Sequence, residues 1–197
     1  MDKPRMVQTF QRQKWQSHVT AWSDTDYAGC VRTRKSTSGG IVCIGSHVIK
    51  TWSATQKIIA LSVGEAEYYG LVKGTAMGKG SVSILGDMGL KFKLQICTDS
   101  ATAKGIASRK GLGKVRHIEV CQLWVQQEVA NKNIHIVKVK GPNNLSDILT
   151  KYVDSQTLKK HMYHMYMKAT KDRHELNPEV AEDESRQDTQ RTAPPTK

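Results

Sequence analysis

The sequence is poor in the features that mark secreted, membrane or zinc-stapled proteins. Its four cysteines, Cys30, Cys43, Cys97 and Cys121, stand far apart with no Cys-x-x-Cys pair, which argues against a zinc knuckle and against a disulfide framework. No apolar run approaches membrane-spanning length, and no apolar signal-like core lies near the N-terminus. The expectation is a soluble, intracellular protein with no membrane partner. Acidic residues are scarce, 18 Asp and Glu against 30 Lys and Arg, for a net charge of +12. Of the five prolines, Pro178, Pro194 and Pro195 fall in the last 20 residues, a stretch almost free of large apolar groups.

What is present is basic charge, unevenly spread. Residues 171–197 hold five basic and seven acidic side chains, so the first 170 carry 25 against 11, or +14. Such a surplus favours a polyanionic partner, nucleic acid before membrane, because no basic amphipathic helix with a large apolar face accompanies it. A length of 197 residues suits one domain with tails. The boundaries expected are a flexible basic leader at 1–17, a folded domain at 18–153, a helical extension at 154–169 and a disordered tail at 170–197.

His18–Asp26 alternates Val19, Ala21 and Ser23 with Thr20, Trp22 and Asp24, a strand that carries carboxylates to its end. Asp24 and Asp26 share a face by alternation, so spacing alone does not choose between them, and an Asp ending a strand also serves as a turn cap. A basic turn at 32–40 precedes Ile41–Ile44, the turn pair Gly45-Ser46 and Val48–Trp52, which predicts three consecutive antiparallel strands. Ser62-Val-Gly-Glu65 is a capping box in which the serine accepts from the Glu65 amide and the glutamate reaches back to the Ser62 amide. The helix it opens carries Glu67. Gly70, Gly74, Gly78 and Gly80 are expected to weaken or break it before a second piece at 81–88.

Leu94–Thr98 reads as a fourth strand, Ser100 as the cap of a helix over 101–108, and Ile118–Val129 as a helical face. Ile134–Val137 makes a fifth strand. A last helix is expected to open near Asn143 or Asn144 and to continue, after a break at Asp154, to Met167. The order β-β-β-α-β-α-α-β-α is an α/β layout with a five-stranded mixed sheet flanked by helices.

Four acids fall at comparable points: Asp24 near the end of the first strand, Glu67 in the early turns of the long helix, Asp99 just past the fourth strand, and Asp147 at the start of the last helix. A cluster assembled from such distant parts suits a site for two divalent cations, which take several hard oxygen ligands and activate water against a phosphodiester. The blocks Trp22-Ser-Asp-Thr-Asp-Tyr-Ala-Gly29, Arg34-Lys-Ser-Thr-Ser-Gly39, Trp52-Ser-Ala-Thr-Gln56, Ala60–Tyr68, Cys97-Thr-Asp-Ser100, Arg116-His-Ile-Glu119 and Ser146-Asp-Ile-Leu-Thr-Lys151 occur in that order. Over about Val19 to Tyr152 the chain thereby resembles the ribonuclease H domain of Ty1/Copia-type retrotransposon Pol polyproteins.

The resemblance implies an RNase H-like fold and Mg2+-dependent cleavage of the RNA strand of RNA/DNA hybrids during reverse transcription, with two Mg2+ ions or Mn2+ in their place. It implies Asp24, Glu67, Asp99 and Asp147 as catalytic metal ligands, with Asp26 and Glu65 as second choices. The reverse transcriptase and integrase parts of the same polyprotein become expected partners, and the cytoplasm, a virus-like particle or the nucleus the expected place. Phosphate contacts would come from a basic set, Arg34, Lys35, Arg109, Lys110, Lys114 and Arg116, with Ser100 and His117 beside them; Arg32, Lys57 and Lys104 are further candidates. For each alone a solvated surface charge is the more ordinary reading, and only their collective excess favours phosphate binding.

Many RNase H enzymes carry a histidine in the loop before the last aspartate; Lys140–Ser146 has none, as is general among Copia-type members. Lys114-Val115 also departs from the family's usual arginine and hydroxyl pair. The alternative reading is a catalytically silent or domesticated fragment that grips nucleic acid without cutting it. A third is an endonuclease or strand-transfer enzyme acting on DNA. His161 and His164, three apart on the terminal helix, read as an exposed face rather than a metal site.

Overall fold

A computed structural model describes residues 5–113, 115 and 117–170. The expected tail at 171–197 lies outside the described residues, as do Lys114 and Arg116. Residues 8–168 form one compact unit. Arg5–Val7 and residues 169–170 belong to a second unit, described through strands β1 (Arg5–Gln8) and β7 (Met167–Thr170), which pair with each other.

The main unit is built on a five-stranded sheet of β2 (His18–Asp26), β3 (Thr37–Ile44), β4 (His47–Thr55), β5 (Lys93–Thr98) and β6 (Ile134–Lys138), in the spatial order β4-β3-β2-β5-β6. β2, β3 and β4 pair antiparallel; β5 runs parallel to β2, and β6 parallel to β5. This is the expected mixed sheet. Helices α1 (Val63–Asp87), α2 (Ala101–Ala107), α3 (Trp124–Ala130) and α4 (Ser155–His164) accompany it. Alternation along β3 feeds two apolar clusters: Val42 joins Val19, Ala21, Leu71 and Ile96 in the larger, while Ile41 and Cys43 join Val48 and Met165 in the smaller. All four cysteines are free thiols.

Four expectations change. The helix opened by Ser62 is not broken at its glycines but runs unbroken for 25 residues. Gly70, Gly74 and Gly78, four apart, line the side facing the sheet, where an added Cβ would lie 2.3 Å from Thr25 Oγ1, 3.3 Å from Ser23 Cβ and 2.5 Å from Leu94 Cδ1 respectively. The lost helix propensity is offset by close approach of the helix to β2. Gly80, by contrast, faces open space. Gly80→Ala is therefore expected to stabilise the fold by roughly 0.5–1 kcal/mol and Gly70→Ala to destabilise it by about 1–3 kcal/mol, opposite signs within one helix that thermal unfolding would resolve.

The basic turn ends at Ser36 rather than at Gly40, because Gly39 and Gly40 belong to β3. A Cβ on Gly40 would collide with the Trp52 ring of β4, so the glycine is what lets that ring cross the sheet. Asn143 and Asn144 open no long helix. Two short 3-10 turns, Gly141–Asn143 and Leu145–Leu149, lead instead to α4, capped at its start by Asp154, whose carboxylate accepts from the amides of Gln156 and Thr157. The face at 118–129 likewise splits into a 3-10 turn, Val120–Leu123, and the short α3.

Candidate metal centre

The parallel pairing of β2 with β5 brings the first two acids together. Its register sets Trp22 beside Cys97, so Asp24, still within β2, and Asp99, just past β5, each two residues further on, stand side by side toward the carboxyl ends of neighbouring strands. On the other flank of β2, Asp24 pairs with Gly39. A Cβ there would lie 2.6 Å from Thr150 Cγ2 and 2.9 Å from Leu149 Cβ, so the glycine opens the space into which the Leu145–Leu149 turn settles. The Thr150 hydroxyl then donates to Asp24 Oδ2.

Asn144, fully buried, ties this turn to both strands. Its amide donates to Ser23 O at 3.1 Å and to Asp99 Oδ1 at 3.5 Å, while its own oxygen accepts from Ser146 Oγ at 2.6 Å. Asp147 is thereby delivered to the same end of the sheet. Glu67 arrives from α1, whose start is held by two donors on the Ala66 carbonyl: Gln56 Nε2 at 2.8 Å and Thr25 Oγ1 at 3.3 Å.

Asp24, Glu67 and Asp99 each present an oxygen within 4.8 Å of the others. Asp147 stands just outside that triad but shares its electrostatics. Burial, then the charges of Asp24 and Asp99, pushes the Glu67 carboxyl from 4.5 up to about 8. Burial, then Asp24, lifts Asp147 from 3.8 to about 6 and raises Asp99 as well. One cation relieves the crowding: Lys151 Nζ lies 3.2 Å from Asp147 Oδ2. Burial would depress the Lys151 ammonium, but Asp24, Asp147 and Asp99 together hold it above its usual value. Oε2 of Glu67 and Oδ1 of Asp147 are buried with no hydrogen-bond partner. Unpartnered carboxyl oxygens converging from separate elements are costly in a fold unless a proton or a cation meets them, and an all-oxygen donor set suits a hard divalent cation.

The second-choice acids lie elsewhere. Asp26 is outside the triad, at the last residue of β2. Glu65 is buried and fully engaged: Tyr69 donates to Oε1 at 2.7 Å, and Oε2 takes both the Leu61 amide and His117 Nε2 at 2.7 Å. The Ser62 half of the capping box forms as expected, at 3.2 Å, but the glutamate reaches the amide of Leu61 rather than that of Ser62, one residue further out.

Among the basic candidates, Arg34 is exposed in the β2–β3 connection at φ +56° and Lys35 is half-buried beside it. Lys110 is exposed, whereas the Arg109 guanidinium turns back onto Leu112 O of its own loop. Ser100 caps α2, accepting from Ala103 N at 3.1 Å. His117 is anchored to Glu65, which gives it a role in holding the loop to α1. Its ring is 41% exposed and so still open to solvent.

Sequence reasoning passed over Gly39, Asn144, Thr150 and Lys151. Gly39, Asn144 and Thr150 each meet a partner more than a hundred residues away, whereas Lys151 pairs with Asp147 only four residues before it.

No family model matches the chain. Among curated proteins it is 30% identical over 140 residues to the retrovirus-related Pol polyprotein from transposon TNT 1-94 of Nicotiana tabacum, across 68% of this chain and 10% of that protein. It is 28% identical over 134 residues to the corresponding polyprotein from transposon RE1 of Arabidopsis thaliana, across 66% of this chain and 9% of the relative. The chain thus spans about a tenth of the length of these relatives. Among solved structures, LC11-RNase H1, isolated from compost by a metagenomic approach, aligns at 16% identity and a TM-score of 0.48, covering 74% of this chain and 99% of that one. With these relatives and this sheet, the chain belongs to the Copia-type retrotransposon Pol polyproteins, as an RNase H-like domain of that family.

Proposed function

We propose that the domain is a metal-dependent endoribonuclease that hydrolyses the RNA strand of RNA/DNA hybrids, and that it does so beside the reverse transcriptase and integrase parts of a longer Pol polyprotein. The observation that carries this reading is the convergence of Asp24, Glu67 and Asp99, with Asp147 alongside, at the carboxyl ends of β2 and β5. Asp24, Glu67, Asp99 and Asp147 would hold two Mg2+ ions, with Mn2+ able to replace them. Bound there, the ions supply a polarised water and charge stabilisation for the departing oxygen of a phosphodiester.

The protein's own groups prepare that site. Thr150 and Asn144 donate to Asp24 and Asp99, fixing which oxygens face inward. Lys151 holds Asp147 by ion pairing and brings a positive charge to the edge where a phosphate would approach. That edge is open: Asp99, Asp147 and Lys151 line one hollow with Tyr152, Thr157 and Lys160. Basic groups at Arg34, Lys35 and Lys110 extend a phosphate-binding surface, with weak sequence preference and strong salt dependence.

The deciding assay presents the purified chain with a labelled RNA/DNA hybrid and with duplex DNA, in Mg2+ and in chelator. Cleavage of the RNA strand, dependent on the metal, is the expected result. Hybrid binding without cleavage in either Mg2+ or Mn2+ would support the silent-fragment reading, and cutting of duplex DNA would support the DNA nuclease. Lys151→Gln is expected to tighten Mg2+ binding about tenfold, since a competing cation leaves the cluster, and to slow cleavage if the lysine also meets phosphate. Calorimetric titration separates the first effect from the second.

A further inference from the structure

On the sheet face that bears Trp22, α4 and the Leu145–Leu149 turn enclose a cavity of about 390 Å3, within the size range of small-ligand sites. Trp22, Val48, Leu145 and Met165 form its apolar walls. One polar side chain in the wall is out of place. His161, expected on an exposed helix face, is only 1% exposed, and neither of its ring nitrogens has a hydrogen-bond partner. Burial, then the neighbouring charges of Lys160 and His164, depresses its pKa and keeps the ring neutral, so that it offers one donor and one acceptor. A buried ring with both nitrogens unpaired costs stability unless something that enters the cavity pairs with it.

Lys160 identifies what that something is. Its ammonium is held by Pro142 O at 3.1 Å and by Asn143 Oδ1 at 3.4 Å, which leaves a third proton free. It lines this cavity and also the hollow that contains Asp99 and Asp147. A ligand filling the cavity therefore needs a largely apolar body with a polar atom that can pair with the ring, joined to an anionic group within reach of a lysine. Nucleotides have that combination.

We propose that the cavity between α4 and the sheet is a nucleotide subsite, in which a base occupies the slot beside Trp22 and pairs with His161 while its phosphate lies on Lys160. The phosphate position borders the hollow of the carboxylates, so the subsite would take an unpaired terminal nucleotide of a strand lying in that hollow. This last placement rests on the hybrid-cleaving reading; binding of the nucleotide itself does not.

The test is run on the Asp99→Asn form of the whole chain in chelator, so that neither catalysis nor metal binding contributes. Nucleoside 5′-monophosphates, ribose 5-phosphate and inorganic phosphate are each titrated, with the imidazole resonances of isotope-labelled protein and calorimetry as readouts. The expected result is that at least one nucleotide shifts the His161 resonances with a dissociation constant below about 1 mM, that Lys160→Gln weakens it about tenfold, and that the two phosphates lacking a base bind far more weakly. Lys160 is exposed, so its replacement leaves the fold intact. Equal binding of all three phosphates, or no shift at His161 with any nucleotide, would overturn the proposal. Nucleotide binding in chelator combined with no hybrid cleavage by the unsubstituted chain would leave the subsite standing and remove the nuclease reading.

Discussion

Asp99→Asn is expected to reduce RNA-strand cleavage by at least about a thousandfold while the metal-free protein keeps its fold and unfolds no earlier than the parent. The carboxylate sits beside the carboxyls of Asp24, Glu67 and Asp147, and burial, then the charge of Asp24, raises its own pKa. An amide of the same shape removes one of these repulsions. It also keeps an oxygen for the Asn144 amide now donating at 3.5 Å. What it loses is a charged ligand for a divalent cation, and a neutral carbonyl is a weaker partner for Mg2+. Single-turnover cleavage of a hybrid, circular dichroism and Mg2+ calorimetry together check the three parts. Retained cleavage would remove Asp99 from the site, and a lost fold would make it structural.

The second large effect is in stability. Glu67 has its carboxyl raised from 4.5 to about 8, by burial first and then by Asp24 and Asp99. Between those values the folded chain keeps a proton that the unfolded chain has released. The contribution of Glu67 to stability is therefore complete below about pH 4.5 and declines as pH rises toward 8. Asp147, raised from 3.8 to about 6, adds a slope of the same sign at lower pH. In chelator the melting temperature is thus expected to fall between pH 5 and 8 on their account. Glu67→Gln should flatten that fall and raise the midpoint at pH 8 by roughly 5–10 °C, the equivalent of about 2–4 kcal/mol. Divalent cation should do the same for the parent chain and little for the variant. A midpoint at pH 8 that Glu67→Gln leaves unchanged would mean that the buried carboxylate already has a counter-charge.

Much of this was readable in advance because it is local. Strand alternation in His18–Asp26, the Ser62 and Ser100 caps and the turn pair Gly45-Ser46 each depend on neighbours within a few residues, and each formed where the spacing placed it. With the family's blocks, this set out the five strands and the four acids at strand ends and helix starts.

The rest depended on contacts between remote segments, which no local pattern encodes. A run of glycines reads as a weak helix until the strand that they allow α1 to approach is in view. Asn144 and Thr150 gain their roles only because parallel pairing and the space above Gly39 fold a 3-10 turn against residues about 120 positions earlier, with separations of 121 for Asn144 to Ser23 and 126 for Thr150 to Asp24. His161 offers the plainest contrast: its spacing from His164 placed both on a solvent face, yet in the folded chain one ring is buried and the other exposed. The sequence alone determined which residue types lie at the ends of which elements, because caps, turns and alternation are short-range. Which carboxylates share a cation, which amide orients them and which histidine faces a cavity were decided by tertiary packing, since those depend on distances that exist only once the sheet has closed.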